Sequence, residues 1–137
     1  VIHRDIKPEN ILIGSDNLLK LADLGWSVFD NDKKRMTFCG TVEYLPPEMC
    51  KEDNYDYRTD IWCLGILCYE LCIGSTPFAG RETLRITKQK IINDDLEFPP
   101  HLSEECVDFI QKCCKKNPNE RMSLSEALNH PFITKYL

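Results

Sequence analysis

The sequence predicts a mainly α fold that opens with a short β-hairpin and continues as an all-helical remainder. Three observations carry this. Two brief apolar runs near the start flank a cluster of turn residues. Residues 61–73 form one long run that is apolar almost all round. Ser123 and Glu126 stand three apart ahead of further apolar positions, the spacing of a helix-starting capping box.

The elements follow in order. Ile11-Leu12-Ile13 and Leu18-Leu19-Lys20-Leu21 read as strands, and Gly14-Ser15-Asp16-Asn17 between them is turn chemistry, so a hairpin is expected. Residues 26–47 show no sustained period and contain Asn31-Asp32-Lys33-Lys34-Arg35 and Pro46-Pro47, which predicts a long functional loop. The run 61–73, interrupted by Glu70, predicts a buried helix. It is too short and too broken to cross a bilayer. Asp60 stands at its expected N-cap and Gly74 at its C-terminal stop. Residues 81–93 and 103–114 have looser helical spacing, and Ser123 to Leu128 begins a last short helix.

Composition narrows the function classes. A chain of 137 residues that is 42% hydrophobic and 28% charged can bury a core of its own. A net charge of −5 gives no basic face for nucleic acid or an anionic membrane, so neither partner is expected. No secretory leader is visible at the start; an intracellular location is expected from the cysteine usage. The eight cysteines contain no C-x-x-C pair and no histidine at zinc-ligand spacing. Cys63, Cys68 and Cys72 lie in the apolar run and read as small hydrophobes in a reducing compartment.

The motifs carry the chemistry. His3-Arg4-Asp5-Ile6-Lys7-Pro8-Glu9-Asn10 precedes the hairpin, Asp23-Leu24-Gly25 follows it, and Pro46-Pro47-Glu48 closes the long loop. In this order they resemble the catalytic loop, the metal-binding tripeptide and the loop-end tripeptide of eukaryotic protein kinases. The resemblance covers the whole chain, 1–137, as the C-terminal lobe of a kinase domain. It implies ATP and Mg²⁺ as cofactors, with Lys7, Glu9, Asn10 and Asp23 on the nucleotide side. Asp5 is a carboxylate that can orient an acceptor hydroxyl and take its proton. Lys7 can balance charge on the transferring phosphate. Asn10 and Asp23 are hard oxygen donors suited to Mg²⁺. Gly25 lets the backbone turn behind Asp23.

Further roles rest on the resemblance alone. Lys7, together with Thr41 bonding Asp5 and Lys7, is the serine/threonine form of the site. Trp26 favours serine. Leu24 replaces the usual phenylalanine and is expected to pack as an apolar plug beneath Asp23. Asp60 braces the catalytic-loop backbone, and Glu48 and Arg121 form a buried ion pair. His130-Pro131-Phe132 resembles the closing segment of many such lobes. Glu9 and Glu70 receive an arginine of the protein substrate; a local partner for Glu70, such as Arg58 or Lys115, is the competing reading. Thr37 is a phosphorylation switch, with Arg4 and Arg35 as guanidinium partners for its phosphate.

Trp26-Ser27-Val28 and Tyr44-Leu45-Pro46-Pro47-Glu48-Met49 resemble the Aurora kinases in particular. That resemblance implies a kinase of nucleus, spindle and centrosome, activated by loop phosphorylation and by a helical partner on the N-terminal lobe. The Gly-rich loop, the strand lysine and the helix glutamate of that lobe are absent from these residues. Two other readings stay open. A truncated lobe or pseudokinase would be a binding module without catalysis. An aminoglycoside-type small-molecule kinase would have no use for Thr37 or the Pro46-Pro47-Glu48 element.

Overall fold

The computed structural model describes residues 1–26 and 42–136. Thr37, Arg35 and Thr41, and with them the expected switch and its pairing partners in the loop, lie outside the described residues. A 3₁₀ turn over Pro8–Asn10 leads into β1 (Ile11–Ile13), which pairs antiparallel with β2 (Leu19–Leu21). The register places Ile11 opposite Leu21 and Ile13 opposite Leu19. Leu18, expected in the second strand, belongs to the turn instead. Its N–H is drawn to the Asp16 side chain at 3.1 Å. Asn17 takes the left-handed φ of 58° that the tight connection needs.

Beyond the hairpin the chain is helical: α1 (Pro47–Cys50), α2 (Arg58–Ile73), α3 (Leu84–Asn93), α4 (Glu104–Cys113), α5 (Leu124–Leu128) and α6 (Pro131–Thr134). Short 3₁₀ turns at Leu24–Trp26, Val42–Tyr44 and Pro118–Glu120 join them. The all-round apolar run makes α2 the central post, and α4 packs along it. Trp62, Ile66, Phe109, Ile110 and Cys113 fill that seam. At Gly65 the helices approach so closely that a Cβ would stand 2.4 Å from the Cys114 sulfur and 2.7 Å from Cys113 Cβ. Trp62 stacks on Phe78 with ring planes 4° apart. The Lys116 ammonium and the Arg121 guanidinium lie 5.4 Å and 5.3 Å from its ring centre.

Helix starts follow local chemistry in α4 and α5. The Ser103 hydroxyl accepts from the Cys106 N–H at 3.2 Å. Ser123 and Glu126 form a complete capping box. Gly74 ends α2 at φ 93°, its N–H bonded to the Glu70 carbonyl at 2.7 Å. The start of α2 departs from expectation. The helix begins at Arg58, so Asp60 lies inside the first turn and is not the N-cap. Its carboxylate is engaged elsewhere, as described below. α3 likewise begins at Leu84, three residues later than the spacing suggested.

Candidate active site

The segment from His3 to Asn10 is mostly polar; Ile6 packs against the core, and directional bonds orient the rest. Asp60 sits in the first turn of the rigid, buried α2. Its two carboxylate oxygens accept from consecutive backbone N–H groups, His3 at 2.8 Å and Arg4 at 2.9 Å. Two acceptors on one carboxylate fix the peptide between those residues in position and orientation. Arg4 there adopts φ 70°, a left-handed conformation that a non-glycine residue takes only when its surroundings hold it.

His3 joins this loop to the segment before Asp23. Its Nδ1 accepts from the Asp5 N–H at 3.3 Å, so Nε2 carries the proton and donates to the Ala22 carbonyl at 3.0 Å. The Ala22 N–H in turn donates to the Asn10 carbonyl at 2.8 Å. Asp23 follows at φ 61°, and its Oδ1 accepts from the Gly25 N–H at 3.2 Å.

Asp5, Lys7 and Asn10 form one cluster. The Asn10 amide nitrogen donates to the Asp5 carbonyl at 2.7 Å and to its Oδ2 at 2.8 Å. Lys7 Nζ lies 3.0 Å from Asp5 Oδ1. Asp5 is thus presented with both carboxylate oxygens oriented, beside a cation. Because the Asn10 nitrogen faces Asp5, the amide oxygen is the atom left for another ligand. Together with the exposed Asp23 carboxylate it offers hard oxygen donors from two sides of the hairpin, which fits Mg²⁺ carrying nucleotide phosphates.

Supporting residues complete the picture. Glu48 and Arg121 form a bidentate pair with both bonds at 2.7 Å, and their side chains are 6% and 0% exposed. Arg121 also donates to the carbonyls of Arg58 and Lys115, both at 2.9 Å. The pair ties α1 to the segment before α5. Leu24 is not packed: it is exposed, and no apolar cover reaches it among the described residues. The expected plug beneath Asp23 is therefore not formed in this structure.

Glu70 has neither Arg58 nor Lys115 as its partner. Arg58 donates its Nε to Asp56 at 2.9 Å, and Glu70 accepts the hydroxyl proton of Tyr44. Burial pushes that hydroxyl well above its ordinary pKa; the Glu70 bond adds to this, as does the nearby Glu9 charge. The Tyr44–Glu70 bond is a link the sequence reading missed. Tyr55 was missed as well; its hydroxyl accepts from the Arg4 guanidinium at 2.7 Å. Neither tyrosine sits in a spacing pattern that would have marked it.

Comparison with known proteins agrees with this geometry. A family model described as protein kinase domain matches residues 1–133. An Aurora kinase of Encephalitozoon cuniculi is 53% identical over 137 residues, which is 99% of this chain and 50% of that protein. Aurora kinase A-B of Xenopus laevis is 48% identical over 135 residues, 98% of this chain and 33% of its own length. An Aurora kinase of Debaryomyces hansenii is 48% identical over 136 residues, 97% and 33%. The chain spans half or less of the length of these relatives.

Proposed function

The chain belongs to the protein kinase domain family, and on that premise we propose that its parent is an Aurora-like serine/threonine kinase using ATP and Mg²⁺. Residues 1–137 are its C-terminal lobe. The Gly-rich loop and strand lysine that cradle ATP come from chain outside these residues. The observation that carries the reading is the Asp5–Lys7–Asn10 cluster on a loop braced by Asp60. A catalytic carboxylate needs that kind of fixed orientation.

In this reading Asp5 orients the acceptor hydroxyl and takes its proton. Lys7 balances the negative charge that accumulates on the transferring phosphate. Asn10 and Asp23 hold Mg²⁺, which when bound neutralises phosphate oxygens. His3 keeps Asp5 and the Ala22-Asp23 backbone in one frame through its two ring nitrogens. Thr41 adds its hydroxyl to Asp5 and Lys7, and Glu48–Arg121 secures the end of the loop.

The same reading extends to substrate and regulation. Glu9 and Glu70, the latter held by the Tyr44 hydroxyl, receive an arginine upstream of the acceptor. The acceptor is serine or threonine, with serine favoured by Trp26. Phosphorylation of Thr37 orders the loop through Arg4 and Arg35, and Arg35-Met36-Thr37 itself suits a kinase that prefers basic substrates. A helical partner activates the N-terminal lobe, and the protein works at the nucleus, spindle and centrosome, as the Aurora likeness implies. No helix among the described residues is long and apolar enough to cross a membrane.

A peptide-library phosphorylation assay on the full-length protein tests the reading, with Asp23→Asn as control. Transfer to serine or threonine peptides with upstream arginine, abolished by Asp23→Asn, is the expected result. Transfer that survives Asp23→Asn overturns the site assignment, and arginine preference unchanged in both Glu9→Ala and Glu70→Ala overturns the substrate assignment.

A further inference from the structure

Three cysteines that the sequence separates are brought to one point by helix packing. Cys68 and Cys72 lie one turn apart on α2, and α4 crosses them with Cys106 in its first turn. The Cys72 and Cys106 sulfurs are 3.7 Å apart. All three sulfurs lie within 4.8 Å of one another; by whole-residue exposure Cys106 is buried, Cys68 half-buried and Cys72 exposed. No other group of three such ligand side chains converges this way among the described residues.

The spacing suits a soft cation. A tetrahedral Zn–S bond of about 2.3 Å places neighbouring ligand sulfurs about 3.8 Å apart. The Cys72–Cys106 separation already matches that edge. Cys68 needs only a small side-chain adjustment to complete the face, because its backbone is fixed on the same helix as Cys72. Rigid helices on either side give the ligands a preformed geometry.

Without a cation the crowded thiols make only weak S–H···S contacts. A thiophilic dication releases the protons and replaces those contacts with shared coordination. The exposed Cys72 provides an entry path, and the fourth position is open to water.

We infer that Cys68, Cys72 and Cys106 form a tri-thiolate binding site for a soft divalent cation of the Zn²⁺ class, clamping α2 to α4. Cys72 lies 12 residues along α2 from Asp60, about 18 Å at 1.5 Å per residue, so the clamp grips the far end of the helix that braces the catalytic loop.

Cobalt is the probe. The full-length protein, held reduced with a phosphine that does not compete for metal, is titrated with Co²⁺ and then with Zn²⁺. One equivalent of Co²⁺ should give sulfur-to-cobalt charge-transfer absorption and the intense visible bands of tetrahedral cobalt, and Zn²⁺ should bleach them. Cys72→Ser removes an exposed ligand without disturbing the core. It should weaken Co²⁺ binding by more than about tenfold, since even outer-shell losses cost that much. Its thermal melt without metal should match the parent's, and Zn²⁺ should raise the melting temperature of the parent only. Weak, octahedral-type cobalt spectra overturn the site, as do tetrahedral bands that persist unchanged in Cys72→Ser.

Discussion

The first 26 residues and the helical body are stabilised by different means. In the body, Trp62 and Ile66 are 0% exposed, and the α2–α4 seam is packed tightly enough to exclude a methyl at position 65. In the opening segment, Ile13 is 74% exposed, Leu19 70% and Leu24 66%. Ile2 is buried there and Ile6 and Ile11 pack against the core, but the loop's orientation is set by directional polar bonds: Asp60 to two backbone N–H groups, His3 to Ala22, Asn10 to Asp5. The chemistry-bearing loop is thus oriented by a few hydrogen bonds anchored in a scaffold that stands by apolar burial. Damage to the scaffold should appear in stability first. Damage to the tethers should appear in activity out of proportion to stability.

The largest effect is expected at the ion pair inside the scaffold. Arg121→Met strands the Glu48 carboxylate, and Glu48→Gln strands the guanidinium. Each should cost about 3–5 kcal/mol in denaturant unfolding, whereas the apolar double replacement Glu48→Leu/Arg121→Met should recover most of the loss. A double variant no more stable than the singles would mean that the carbonyl bonds of Arg121, and not the charge pair, hold this joint.

Next comes the tether. Asp60→Ala leaves the His3 and Arg4 N–H groups without their charged acceptor and releases the φ of 70° at Arg4. A loss of about 1.5–3 kcal/mol in stability is expected. The activity of the full-length protein should fall by much more than the unfolded fraction explains. Activity falling only in step with folding would erase the distinction between scaffold and tether. Gly65→Ala provides the matched control in the scaffold. Its added methyl meets Cys114 Sγ and Cys113 Cβ, and overpacking should cost about 1–3 kcal/mol. Specific activity of the folded fraction should be unchanged.

What could be read from the sequence divides along the same line. The hairpin, the buried α2, the Gly74 stop and the Ser123 cap are local matters, set by turn chemistry and by residues three or four apart. The His3–Asn10 motif was legible because its residues lie close together in the chain. Asp60 was half misread: its residue type and place before an apolar run suit an N-cap, but its real partners are 56 and 57 residues away. The Tyr44–Glu70 bond and the approach of Cys106 to Cys72 span 26 and 34 residues. Such contacts are fixed by how α2 packs against its neighbours, and no periodicity announces them. Leu24 fails in the opposite sense, because packing beneath Asp23 needs an apolar cover that the described residues do not contain.

The smallest effect should come from the start of α5, far in sequence from the catalytic loop. The Glu126 carboxylate accepts from the Ser123 N–H at 2.6 Å and from its hydroxyl at 2.7 Å, while the Ser123 Oγ accepts from the Glu126 N–H at 3.2 Å. Ser123→Ala should cost about 1 kcal/mol and leave specific activity untouched. The backbone bond from Ser123, then its hydroxyl, holds the Glu126 carboxyl below its ordinary pKa. A depressed folded-state pKa means that the unfolded chain takes up the proton first as pH falls. The contribution of the ionised Glu126 is therefore complete above the ordinary carboxylate value and lost as pH drops through the folded one. Ser123→Ala removes the hydroxyl part of that depression, so the stability gap between the two proteins should be constant near neutrality and narrow on acidification. A gap that stays constant on acidification would mean that the cap acts through the hydroxyl alone, without the carboxylate.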